Sequence, residues 1–447
     1  MKPAHFISAT ARVFYIVLVL CFDTTSAQNL IGFNSNYDGA VNAYLNPAAL
    51  VNSKVKLDIN LLTFGAHLQN NYYGIPKKDY KPFEILQSGF DPSTIQANTK
   101  NAKVPFLYTK VQLHLPSVMY SDGKRAYAFH LSGRAEASAK NLPADLMYFY
   151  NTSMPVTGAP ANTEGETHVV KKFLAALAMW EELGFTYAQS VIDDGSRKLT
   201  AGITANLLFG NAAFYAKGKN VEYTYDDAGN ISFQNADAAY GGSSISKGVS
   251  GFGLSVNLGA NYYWGDALRN RAEKSGYFHY KYCVGAALLD LGGMRFSSGN
   301  SAAVNTLDGD LSSGDDLVQK SNHLSFYLPT ALSLQFDYNL NDQFYVGATF
   351  IQNLRFTGAQ IRRPTVLSVT PRYERKWFEA SLPVSLYEWR QARIGLETRL
   401  AFFVIGTERL GALMGLTNFT GMDLYFSFRF FIGKKIDYSG RPMYLNR

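Results

Sequence analysis

Leu424-Tyr425-Phe426-Ser427-Phe428-Arg429-Phe430-Phe431-Ile432-Gly433, near the end of the 447-residue chain, alternates apolar with polar or small side chains. Leu424, Phe426, Phe428, Phe430 and Ile432 make one row; Tyr425, Ser427, Arg429 and Gly433 make the other, with Phe431 the exception. A strand sends successive side chains to opposite faces, so this segment has a greasy face and a wet face carrying an arginine. In a soluble protein the five apolar residues would meet a core. In an outer-membrane barrel they meet lipid, and Arg429 points into the lumen. The phrase recurs along the chain behind an export signal, which selects the second reading.

Working back from the C-terminus, period-2 segments occupy 402–409, 392–400, 376–388, 364–374, 343–355, 321–339, 277–291, 249–264, 198–216, 174–192, 124–138, 106–120 and 54–69, fourteen with 422–433. Val55, Leu57, Ile59 and Leu61 alternate with Lys54, Lys56, Asp58 and Asn60; Tyr127, Phe129 and Leu131 alternate with His130, Ser132, Arg134 and Glu136. A helical face would repeat near 3.6 residues. Connections add an independent signal. Ser121-Asp122-Gly123 and Asp193-Asp194-Gly195-Ser196 are hairpin-turn compositions, Asn341-Asp342 is a further short link, and Arg375-Lys376 another. Long stretches at 70–105, 139–173, 217–248, 292–320 and 410–421 follow the alternate strands. Short turns on one side and long loops on the other is the habit of transmembrane barrels. Two connections break the parity: 265–276 is long where a turn is expected, and Trp389 to Gln391 is short where a loop is expected. The count is therefore about 14, within 12–16.

The N-terminus reads as a signal peptide over residues 1–27, with Lys2 and Arg12 in the n-region, Val13 to Phe22 as the apolar stretch and Thr25-Ser26-Ala27 before Gln28. Ten apolar residues are too few for a spanning helix, which needs about 20. Cleavage takes the formal charge from +7 to +6 and leaves Cys283 as the lone cysteine, so the mature chain has no intramolecular disulfide and no cysteine-based metal cluster. The mildly basic charge comes without a Lys/Arg cluster, which argues against nucleic acid. Tyr 29 and Phe 31 are high counts, as aromatic girdles at two membrane interfaces would require. Residues 28–53 are too short to fold alone; they either plug the barrel or lie against its periplasmic mouth. Residues 54–433 are the barrel, and 434–447 form a C-terminal periplasmic tail. The stretch 139–152 suggests a short helix, and Tyr223 to Phe233 a small hairpin beyond the membrane.

Charged residues gather on the wet face of the last five segments: Arg372, Glu374, Glu379, Arg393, Glu397, Arg399 and Arg429. On the lipid face an arginine costs about 2–4 kcal/mol at the midplane, so these look inward. Cross-strand ion pairs filling a narrow or plugged lumen, or a selectivity lining for an anionic solute, both fit. The acidic run Asp308 to Asp316 lacks the central glycine and closing glutamate of a Ca²⁺ loop and reads as a solvated loop. H-E-x-x-H, G-x-S-x-G and His/Cys metal spacings are absent from the sequence, so no catalytic residue, cofactor or metal is assigned.

Asn42-Ala43-Tyr44-Leu45-Asn46-Pro47-Ala48-Ala49-Leu50, followed by Lys56-Leu57-Asp58-Ile59-Asn60, resembles the opening of a family of uncharacterised outer-membrane barrels of Bacteroidetes-type bacteria, a domain of unknown function. Glu182 to Ala188, Leu288 to Gly292, Leu328 to Leu332 and Val369 to Tyr373 carry the resemblance over nearly the whole mature chain. Asn46-Pro47-Ala48 is also similar to the N-terminal motif of FadL-type transporters for hydrophobic compounds, fourteen-stranded barrels with an N-terminal hatch. That resemblance implies that residues 28–53 are a hatch, with Asn46, Pro47 and Ala48 its anchoring turn. The short outer connections near the C-terminus depart from the transporter pattern, which weighs against a lateral opening. Barrels serving the type IX secretion apparatus are a second relative.

The expectation is an all-β, transmembrane, antiparallel up-and-down β-barrel with an N-terminal plug-like segment, exported to the cell outer membrane. Its expected partners are outer-membrane lipid, the barrel-assembly machinery during insertion and, in one reading, a protein bound at the long outer loops. The expected role is a channel or transporter for a small solute, hydrophobic ones included; the alternative is a structural or secretion-associated barrel that binds a protein partner through its loops.

Overall fold

A computed structural model describes residues 35–82, 91–97, 106–142, 166–225, 231–243, 248–297, 299–305, 318–321, 323–356 and 358–436. The expected signal peptide at 1–27, the acidic run 308–316 and most of the 139–152 stretch and of the expected C-terminal tail lie outside the described residues.

The wall runs β1 (Val55–Asn70), β2 (Phe106–His114, then Ser117–Ser121), β3 (Arg125–Lys140), β4 (His168–Asp193), β5 (Arg197–Tyr225), β6 (Gly251–Gly265), β7 (Tyr280–Phe296) and β8 (Leu324–Tyr327, then Ala331–Asn339). It continues through β9 (Phe344–Asn353), β10 (Val366–Glu374), β11 (Phe378–Ser381, then Val384–Tyr387), β12 (Gln391–Ile394, then Leu396–Leu400), β13 (Phe403–Thr407) and β14 (Asp423–Gly433). Each strand pairs antiparallel with the next, and β14 returns to β1, with Val55 opposite Gly433 and His67 opposite Asp423. The sheet is thus a closed cylinder of fourteen strands. Prolines explain three of the breaks: Pro116, Pro329 and Pro383 have no N–H to give the ladder.

Burial is inverted relative to a soluble protein. Ile59 is 41% exposed and its neighbour Asn60 is 0%; Phe428 and Phe430 are 39% and 40% exposed and Arg429 between them is 0%. The greasy rows do not press against one another. They form the outer surface, where only lipid makes such a surface stable. Around the turn end a girdle of ring pairs marks the interface, including Tyr127–Tyr187 at 5.4 Å, Trp264–Tyr282 at 5.2 Å, Phe344–Tyr373 at 4.8 Å and Phe402–Phe430 at 4.8 Å.

Both parity exceptions are real features, and the count stays at fourteen. The connection after β6 holds a short helix, α1 (Ala267–Ala272), capped by Asp266, whose side chain accepts from Leu268 N and Arg269 N. The turn after β11 is tight because Glu388 and Trp389 adopt positive φ. The sequence reading underestimates β4 and β5, which reach 26 and 29 residues. Past the membrane the apolar alternation gives way to Lys171, Lys172, Lys217, Lys219 and Glu222, yet pairing continues, from His168 opposite Tyr223 onward. Ile231–Ser243, Gly299–Asn305 and Val318–Ser321 add to this outer sheet, so the small hairpin expected at 223–233 is the tip of a larger one.

Candidate functional site

Residues 35–54 carry two short 3-10 turns, Ala40–Tyr44 and Pro47–Asn52. Their bonds run to strands on every side of the cylinder. Ala40 N donates to Asp58 Oδ2 on β1 (2.9 Å), Ser121 Oγ on β2 to Val51 O (3.0 Å), and Thr200 Oγ1 on β5 to Ala48 O (3.0 Å). Ser35 Oγ donates to Glu379 Oε2 on β11 (2.8 Å), and Lys54 Nζ to Tyr345 OH on β9 (2.9 Å) and to Glu374 Oε2 on β10 (3.1 Å). A segment bonded to strands all round the wall is enclosed by it. Residues 35–54 thus bond to β1, β2, β5, β9, β10 and β11.

Asn46, Pro47 and Ala48 come together as a tight turn. Asn46 accepts from Ala48 N through Oδ1 (3.0 Å) and donates Nδ2 to Asn261 Oδ1 on β6 (2.7 Å) and Gln335 Oε1 on β8 (2.9 Å). The wall under this turn is glycine. A Cβ on Gly259 would stand 2.1 Å from Asn46 Oδ1, and one on Gly202 would stand 2.7 Å from Ala48 N. Glycine lets the turn lie directly on strand backbone.

Six of the seven ladder residues meet near the turn end. Arg372 grips Asp337 with both terminal nitrogens (2.8 and 2.6 Å) and Glu374 with Nε (2.6 Å), while Lys54 adds a second cation to Glu374. Glu374 and Glu379 are direct cross-strand partners, a like-charge pairing that is tolerable because each has its own cation; Arg399 supplies that of Glu379 at 3.0 Å. Arg429 donates to the Tyr37 carbonyl and lies 3.6 Å from Asp38 Oδ1 and 3.9 Å from Asp58 Oδ1. Glu397 accepts from Tyr425 OH. Arg393 stands apart, toward the loop end, with its guanidinium 3.5 Å from the centre of the Tyr387 ring.

A second network sits deeper toward the loop end. Arg134 bonds Glu136 Oε1 (2.6 Å), Glu182 Oε1 (2.9 Å) and Asp290 Oδ1 (2.9 Å), and Arg363 bonds Asp290 Oδ2 (2.6 Å). Glu182, Asp290 and Arg363 were not singled out by alternation. Asp290 enters at a bulge, with φ of 52° and its N–H donating to Asn257 Oδ1 (2.7 Å), where the period-2 rule fails. Arg363 arrives on the connection 354–365, which folds inward. Ala359 and Gln360 pair parallel with Phe326 and Tyr327, and Ile361 joins a buried apolar cluster with Trp180, Phe296 and Phe326.

Most of the inward-facing charges are thus neutralised internally. A cavity of about 40 Å³ remains beside Asn36, Asn46, Asn261 and Asp337, room for a water or two. Among the described residues, no three His, Cys, Asp or Glu side chains converge as a metal site would require.

Residues 47–408 match the family described as "Family of unknown function (DUF5723)". The chain belongs to that family. No curated protein matches it. Solved structures with similarity include the Ralstonia pickettii toluene transporter TbuX, at 12% identity and TM-score 0.41, covering 89% of this chain and 94% of that one. A deltaS2S3 mutant of the monoaromatic hydrocarbon channel TodX, a Pseudomonas putida protein, matches at 13% identity and TM-score 0.43, over 92% and 96%. A Pseudomonas aeruginosa FadL homologue matches at 9% identity and TM-score 0.24, over 91% and 99%. Superpositions this loose do not discriminate among large barrels, and the fold of this family member rests on its own strand pairing.

Proposed function

We propose that this barrel is a gated outer-membrane passage for a small water-soluble solute, shut in the present conformation by residues 35–54 from the turn end and narrowed, without being shut, by the 354–365 connection at the loop end. Support comes chiefly from the seating of Asn46, Pro47 and Ala48 on glycine backbone. A purely structural barrel has no need of a separately docked segment held by hydrogen bonds and removable ion pairs. The lining argues for a polar solute over a hydrophobic one. His67, Thr186, Thr204, Ser255, Asn257 and Ser368 face inward and are buried, as are the two charge networks.

Planar-bilayer recordings test this. The intact mature chain is expected to be nearly silent, and a chain lacking residues 28–53 to conduct; heat-dependent gel mobility shows that the shortened barrel has folded. Silence from both folded proteins would sink the reading.

A second reading has one observation of its own, the outer sheet built on β4 and β5 beyond the membrane. It fits a protein partner at the loop end, and such a partner should be lost from pull-downs when residues 217–248 are shortened.

A further inference from the structure

Arginines elsewhere in the lumen are neutralised. Arg134, Arg363 and Arg372 each approach a carboxylate to 2.6 Å, and Arg399 to 3.0 Å. Two others are not. Arg393 on β12 and Arg409, just past β13, are both buried, and among the described residues neither has an ion-pair partner within 4 Å. The carboxylates of the same neighbourhood stop short of an ion pair with either guanidinium, although Glu408 Oε1 has no hydrogen-bond partner of its own. Glu408 accepts from Tyr387 OH; Asp423 contacts His67 Nδ1 at 2.8 Å and accepts from Glu408 N at 3.0 Å.

What the two guanidiniums share is one neutral oxygen. Gln391 Oε1 accepts from Arg393 NH2 (3.1 Å), Arg409 NH2 (3.4 Å) and Gln69 Nε2 (3.3 Å). Three donors compete for two lone pairs. Arg393 Nε and NH1 and Arg409 Nε have no acceptor at all. Burying unpaired cations side by side is costly unless an anion completes the arrangement. Planar guanidiniums with free N–H edges are suited to oxyanions, which accept two parallel bonds.

We propose that Arg393 and Arg409 bind the phosphate or carboxylate group of a small soluble anion. Arg393 precedes Ile394, which is 55% exposed on the lipid face, so the arginine looks into the lumen, away from lipid headgroups. Gln391 follows the tight turn after β11, and Arg409 opens the connection before β14, so both cations sit at the loop end and the anion arrives from outside. The site deepens the reading of a solute passage by naming a substrate class, but binding does not depend on conduction.

The test is equilibrium dialysis of the detergent-purified mature chain against radiolabelled inorganic phosphate and labelled acetate at fixed ionic strength. Saturable binding of at least one of them near one per chain is expected, weakened about tenfold or more in Arg393→Gln and in Arg409→Gln. Arg393→Lys keeps the charge but loses the fork, so it should fold like the parent and still bind several-fold more weakly. Arg271→Gln, on exposed α1, should bind like the parent. Absence of saturable binding to the parent, or equal binding by parent and both glutamine variants, overturns the site. Competition by lipopolysaccharide at micromolar concentration would assign the site to a lipid headgroup and overturn the soluble-anion assignment. Binding that survives in a barrel that never conducts would sink the passage and leave the site standing.

Discussion

Gly202 on β5 and Gly259 on β6 are register partners across the wall, and the Pro47 turn lies flat on the bare backbone they present. A methyl at Gly259 would stand 2.9 Å from Pro47 Cδ as well as 2.1 Å from Asn46 Oδ1, so Gly259→Ala is expected to lift the turn while the wall still closes. Overpacking of this kind costs about 1–3 kcal/mol, enough to loosen a short segment. Trypsin reads the outcome at Lys54, which is buried against Glu374 in the parent and should become cleavable in the variant. Protection equal to the parent's would mean that the glycines are not the seat.

Asn46→Ala removes the acceptor for Ala48 N and the donors to Asn261 and Gln335. Loss of a cap plus two buried hydrogen bonds amounts to about 2–4 kcal/mol. Bilayer conductance should rise toward that of the chain lacking 28–53, whereas Asn36→Ala, on the same segment, should change it less.

Arg134→Leu leaves Glu136, Glu182 and Asp290 without their shared cation. Removing one member of a buried ionic cluster destabilises by about 3–5 kcal/mol. Urea unfolding from lipid vesicles should show the loss as a lower midpoint. A variant as stable as the parent would mean that this cluster does not help to hold the wall together.

On the outside, Leu258 is 42% exposed between Ile203 and Leu288 on its neighbours. Leu258→Arg should cost about 2–4 kcal/mol if that level is the bilayer midplane, falling toward zero near an interface. The same assay therefore maps depth.

At the turn end Asp342 pairs with Arg269 at 2.6 Å and accepts from Asn339 Nδ2 at 2.8 Å. Burial pushes its carboxyl up, but His279, Asn339 and Arg269 outweigh this and hold it below the usual carboxylate range. A depressed folded value stabilises above the unfolded value, about 3.9, and that stability fades as pH falls through the folded one. Asp342→Asn should lower the urea midpoint at pH 7 and narrow the difference from the parent below about pH 4.

Much of this barrel was legible because lipid imposes a strict rule on every second residue. Phe431 broke the rule in the opening phrase, and its ring turns inward to meet Tyr37 at 6.1 Å, a partner nearly four hundred residues away. Alternation could place Arg372, Glu374, Glu379, Arg399 and Arg429 inside, but not say which would pair. Asp290 was hidden by a bulge that turns Leu289 and Asp290 inward together, and Arg363 by a loop whose inward fold has no period to read. The isolation of Arg393 was equally invisible, since a charge row on paper looks uniform.

β5 is one strand from Arg197 to Tyr225, and about ten residues suffice to cross a bilayer. Lys217 to Tyr225, about 30 Å at 3.3 Å per residue, therefore stands clear of the lipid, stiffened by β4 on one flank and Ile231–Ser243 on the other. The same strand carries Gly202, the backbone on which the Pro47 turn rests. A load placed on that outer stretch would reach, along one run of backbone, the spot where Pro47 rests.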